Sequence, residues 1–163
     1  DVRTALSELP SRVDQHNGKL LLVGHSAGGH LVLWAGATTH MPEIHGVVAL
    51  APVANLRLAY ALNLGDGAVQ SFLGSEPSKR PDIDPMELHA PKARVTVVQG
   101  VADQVVPSAV PESYCAAFAQ ARMRSLPDVW HFALIDPQTQ AWHAVLDELQ
   151  QLSVTAEVAL SIS

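Results

Sequence analysis

At 163 residues, with 48% apolar and 16% charged side chains and a formal net charge of −6, the chain has the make-up of one globular domain with a continuous core. Its Lys and Arg are few and scattered, which excludes a nucleic-acid-binding surface and a disordered acidic tail. No apolar stretch approaches the roughly 20 residues that cross a bilayer and no secretory signal pattern is present, so a cytoplasmic protein without membrane contacts is expected. The chain opens on Asp1, however, which leaves an upstream targeting segment open.

In chain order, residues 3–9 read as the end of a helix stopped near Pro10, and Asn17-Gly18 as a turn. Residues 20–23 are an apolar run without polar alternation, the pattern of a buried strand. A Gly-x-Ser-x-Gly segment follows (Gly24-His25-Ser26-Ala27-Gly28), then a helix over 27–37 and a second buried strand over 46–51, ended by Pro52. Residues 55–91 form an excursion of short helical pieces, broken by Gly65, Gly67, Gly74, Pro77, Pro81 and Pro85. A third buried strand over 95–99 leads to Gly100, Pro107 stands where a helix can begin, and a helical stretch is expected over 114–121. That helix carries the single cysteine, Cys115, read as an ordinary buried thiol that fits a reducing compartment. The last element is a helix over 141–152, with Trp142, Val145, Leu146 and Leu149 expected on its core face. No signal is read after Ser153. The alternation of strand and helix implies an α/β fold, a mostly parallel sheet with helices on both faces and functional groups beyond the carboxyl ends of its strands.

Ser26 is the candidate nucleophile, because a sharp strand-to-helix turn lifts the hydroxyl above the sheet at the positive end of a helix. Gly24 and Gly28 are expected where side chains would collide across that turn. A serine hydroxyl needs a histidine to take its proton and a carboxylate to orient that histidine. Asp103 directly follows the third strand; Asp66, Asp82 and Asp84 lie in the excursion without a strand to hold them, and Asp136 is a weaker rival. Among eight histidines, His25 and His30 sit too close to the turn to approach the hydroxyl, and His16, His40, His45 and His89 precede the aspartate. The order Ser, Asp, His leaves His131 and His143, and His131 is favoured because it lies in a loop-like stretch while His143 lies within a helix.

These segments resemble the α/β-hydrolase superfamily, particularly its compact esterase-like and arylformamidase-like members. The resemblance runs from the elbow through Gly100 to Pro107 and on to His131-Phe132-Ala133-Leu134-Ile135-Asp136-Pro137 and the closing helix. It implies Ser26 as nucleophile, Asp103 as acid, His131 as base and the Ala27 backbone N–H as an oxyanion donor. It further implies a small-molecule acyl substrate, an ester first and an aryl formamide second, with no metal and no organic cofactor; a catalytically silent binding protein is the alternative of another class. No oligomeric state is legible. Two departures stand out. The family's His-Gly-Gly-type loop, source of a second oxyanion donor, does not occur in the chain, so residues 1–163 are read as one hydrolase domain whose N-terminal part is missing. Weak turnover and association through an uncovered first strand are the expected consequences. The strand before His131 is also expected to be short, residues 123–126 followed at once by Pro127, a shortening that would displace His131.

Overall fold

A computed structural model describes residues 2–38 and 44–160. Four strands, β1 (Leu20–His25), β2 (Ile44–Leu50), β3 (Arg94–Gly100) and β4 (Ala121–Leu126), form one sheet in the order β1-β2-β3-β4, every pair parallel. The two central strands are buried along most of their length and accordingly read as unbroken apolar runs. β1 and β4 have one strand neighbour each among the described residues, and Val23 on β1 is 43% exposed.

Alternate side chains along the strands divide the core into two layers. Val47, Ala49, Val95 and Val97 pack beneath α1 (Val2–Arg12), α2 (Ala27–Ala37) and α5 (Ala109–Ala117), through Leu6, Leu33, Ala35 and Tyr114. Val48, Leu50 and Val98 face the other way, against Leu134 and against Ala141, Val145 and Leu152 of α6 (Gln140–Leu160). The excursion forms α3 (Leu56–Ala61), α4 (Leu64–Leu73) and two 3-10 turns around a small cluster of Leu56, Ala59, Val69 and Leu73. Asp84 holds it in place: fully buried, its Oδ1 accepts from the Leu56 and Met86 backbone N–H groups at 3.3 and 3.1 Å.

Several boundaries differ from the sequence reading. α1 continues past Pro10 to Arg12. The fifth helix starts near Pro107 as read but ends at Ala117, which frees residues 121–126 to make a full six-residue β4, paired with β3 from Val95↔Ala121 to Gly100↔Leu126. Helix α6 runs on past Ser153, and Leu146 is 43% exposed on it while Glu148 is 2% exposed. Cys115 is a free, partly buried thiol whose pKa burial pushes up to about 11, so it stays protonated at neutral pH. No described helix is long and apolar enough to cross a membrane.

Candidate active site

The strand-to-helix turn between β1 and α2 strains Ser26 into φ 56° and ψ −116°, a region that non-glycine residues rarely occupy. Three hydrogen bonds hold it there. The Ser26 N–H donates to the Leu50 carbonyl at 2.8 Å, and its carbonyl accepts from the His30 and Val53 N–H groups at 3.1 and 3.3 Å. The turn closes tightly enough that a Cβ on Gly24 would lie 2.1 Å from the Gly28 carbonyl oxygen. Gly28 itself needs no such room: a Cβ there would meet nothing within 4 Å, contrary to the sequence expectation. Ala27 opens α2, so its N–H has no acceptor inside the helix and remains free to donate at the positive end of the helix dipole.

Asp103 follows β3 and stands at the same carboxyl end of the parallel sheet. Its Oδ1 accepts from the Val105 and Val106 N–H groups at 2.8 and 2.9 Å, and Gln99 Nε2 approaches Oδ2 at 3.4 Å. The chain after β4 is tied alongside. Val101 N–H donates to the Leu126 carbonyl at 2.9 Å and Ala102 N–H to the Val129 carbonyl at 3.1 Å. This close approach requires Gly100, where a Cβ would lie 2.2 Å from the Val129 oxygen.

The tie delivers His131, the first residue of a 3-10 turn (His131–Ile135), to the acid loop. His131 Nδ1 lies 2.7 Å from Asp103 Oδ2, with the two residues 2% and 7% exposed. Because a carboxylate accepts, Nδ1 carries the proton and Nε2 keeps its lone pair, the tautomer of a general base. The shortening of the strand before His131 that the sequence suggested does not occur, since β4 is complete. Among the described residues no hydrogen bond joins the Ser26 hydroxyl to His131, whose bonds go to Asp103 and His25.

The rival groups are placed elsewhere. His143 is exposed on α6 and donates from Nδ1 to the carbonyl of Thr139, the residue just before that helix. Asp136 is exposed and accepts from the Gln138 N–H at 2.9 Å. His16 and His45 accept from the Gly18 and Leu20 N–H groups, and His40 lies outside the described residues. Sequence reasoning missed His25, whose Nε2–H donates to the His131 carbonyl at 3.0 Å.

An apolar cavity of about 230 Å³ opens beside the turn, bounded by Ala27, Leu31, Val53, Leu56, Val69 and Phe72. His30 also borders it, with Nδ1–H bonded to the Val53 carbonyl at 3.3 Å, and burial lowers its pKa. Among the described residues no group of three or more His, Cys, Asp or Glu could hold a metal ion.

Known structures of the same fold include a truncated carbohydrate esterase from gut microbiota, 20% identical with a TM-score of 0.70 over 94% of this chain and 66% of that one. An esterase from Thermogutta terrifontis is 18% identical, with a TM-score of 0.64 over 83% of this chain and 54% of that one. A puromycin-hydrolyzing peptidase from Mycobacterium tuberculosis is 21% identical, with a TM-score of 0.63 over 78% of this chain and 20% of that one. The chain thus spans less than two thirds of the length of each, and at these identities the likeness is one of fold: a parallel α/β-hydrolase sheet. No curated protein sequence matches significantly. A sequence profile described as the prolyl oligopeptidase family matches residues 1–154, nearly the whole chain, and the chain belongs to that family.

Proposed function

We propose that this chain carries the catalytic groups of a serine hydrolase that cleaves small carboxylic esters. The buried Asp103–His131 hydrogen bond at 2.7 Å, formed at the sheet end where Ser26 is held in a strained turn, carries the reading. Ser26 Oγ attacks the acyl carbonyl carbon as its proton passes to His131 Nε2, and the oxyanion accepts from the Ala27 N–H. The intermediate collapses when the protonated His131 gives that proton to the departing alkoxide, leaving an acyl-enzyme. Water then attacks the acyl carbon, His131 takes its proton and returns it to Ser26, and the carboxylic acid leaves. Throughout, Asp103 holds the imidazole and stabilises its charged form.

The cavity beside Ala27 supports an apolar acyl group. A dry cavity of about 150 Å³ accepts benzene, so about 230 Å³ suits a short alkyl or phenyl-bearing chain. Amide cleavage is the second reading, favoured by the family match and by the peptidase among the structures of the same fold.

A fluorophosphonate probe should label the wild-type chain at Ser26 and leave Ser26→Ala unlabelled. Turnover of p-nitrophenyl butyrate should exceed that of an N-formyl aniline and of an aminoacyl anilide by kcat/KM. No labelling would leave a silent binding protein, and preference for either amide would replace the ester.

A further inference from the structure

We propose that His25 is a positioning residue for the base: its Nε2–H bond to the His131 carbonyl and its ring packed on the His131 imidazole fix the orientation of that imidazole relative to Ser26. The inference rests on the proposed serine-hydrolase reading and deepens it. One hydrogen bond, from Nδ1–H to Asp103, leaves an imidazole free to swing about the carboxylate that holds it. A proton acceptor that must meet Ser26 needs a second restraint, because a misplacement of about 1 Å costs on the order of a hundredfold in rate.

His25 is the residue built to supply it. It is the last residue of β1, in register with Leu50, and Leu50 also receives the Ser26 N–H. The backbone that carries the nucleophile is therefore the backbone that carries the His25 ring. Across 106 residues of sequence, that ring reaches the His131 carbonyl at 3.0 Å and lies 4.3 Å from the His131 ring, centroid to centroid, tilted by 50°. Phe132 closes the group, 5.9 Å from the His25 ring and 5.0 Å from the His131 ring, the latter edge-on at 85°. Nucleophile strand and base turn are thus joined by a direct side-chain clamp.

The charge state suits the task. A carbonyl oxygen only accepts, so His25 Nε2 carries a proton in this contact. Burial is the largest influence on His25 and lowers its pKa; the nearby His131 works in the same direction, and the bond to the His131 carbonyl and the charge of Asp103 oppose it. His25 therefore donates as a neutral ring at neutral pH. It places no second positive charge against the imidazolium that forms on His131 during acylation.

The test compares two variants of the 163-residue chain. His25→Gln keeps a side-chain N–H donor; His25→Phe keeps the ring and removes the donor. Two readouts are taken: kcat and KM on p-nitrophenyl butyrate, and the proton resonance of His131 Nδ1–H, identified by its loss in His131→Ala. His25→Phe should lower kcat by about 10- to 100-fold with KM within about twofold, and should broaden or abolish the Nδ1–H resonance. His25→Gln should keep kcat within about threefold and retain the resonance. A merely structural histidine would not be rescued by Gln in this way. Should His25→Phe fail to fold, His25→Leu takes its place with the same expectations. The proposal is overturned if the donor-free variant keeps both kcat and resonance, or if Gln is as damaging as Phe. If the wild type shows neither turnover nor probe labelling, the hydrolase reading falls, and the resonance alone decides whether His25 holds His131.

Discussion

Ser26 stores strain, and the strain can be measured apart from the chemistry. A non-glycine residue at φ 56° and ψ −116° costs about 1–3 kcal/mol, while glycine occupies such a backbone with little penalty. Ser26→Gly should therefore raise Tm above that of Ser26→Ala, and both should abolish hydrolysis, as followed by thermal melts beside probe labelling. Equal melting temperatures would show that the turn is not strained. The neighbouring glycines separate in the same experiment: Gly24→Ala forces a backbone clash and should destabilise severely, whereas Gly28→Ala points a methyl into open space and should be tolerated. For the base, His131→Ala should prevent acylation and His143→Ala should leave it intact, since His143 is exposed and tied to the carbonyl of Thr139. At this scale the elbow was legible because strand, glycines, serine and helix are consecutive. So were Asp103 and His131 as candidates, because each follows a strand or precedes a helix in a fixed order. His25 and Gly100 were not legible, because their reasons lie in His131 and Val129, partners that no local spacing announces.

Elements were harder to read where alanine or charge replaced the expected apolar residue. The buried stripe of α6 is Ala141, Ala144, Val145, Glu148 and Leu152, so the stripe of large apolar residues expected from sequence is rotated by about one position and leaves Leu146 in solvent. Glu148 occupies that stripe because β4, which lies alongside, supplies Arg122 and Arg124: Arg122 Nη2 pairs with Glu148 Oε2, and Arg124 Nη1 lies 3.0 Å from Oε1. In the sequence β4 reads as short because the preceding helix is expected to run to Ala121, whereas that helix ends at Ala117. The energetics of the clip are asymmetric. Glu148 is 2% exposed, but the Arg122 and Arg124 side chains are 53% and 31% exposed and can turn to water when freed. Replacing both arginines by alanine should strand a buried carboxylate and cost about 3–5 kcal/mol, whereas Glu148→Leu should cost about 1 kcal/mol or less. Urea melts of the two variants give the comparison, and a larger loss in Glu148→Leu would show that the pair itself, and not the desolvated charge, sets the stability.

Across the whole molecule, the strand, helix and excursion order was legible because β2 and β3 are buried on both faces and carry no polar alternation. The excursion's place beside the turn was not, since only the folded chain brings Val69 and Phe72 of α4 to line one cavity with Ala27. That same packing gives the fold a pH dependence near neutrality. His30 and His25 both have pKa values lowered by burial from the ordinary 6.5, so between that value and their folded values the unfolded chain binds more protons than the folded one. Stability contributed by keeping these rings neutral is complete above pH 6.5 and is lost as pH falls through that window. His30 is 5% exposed and donates to the Val53 carbonyl from the heart of the α2 packing. His30→Gln retains a side-chain donor but cannot titrate, so its Tm should change less than that of the wild type between pH 7.5 and about pH 5.5. Parallel Tm curves for the two proteins would mean that His30 takes up its proton as readily in the folded chain as in the unfolded one, and that burial does not lower its pKa.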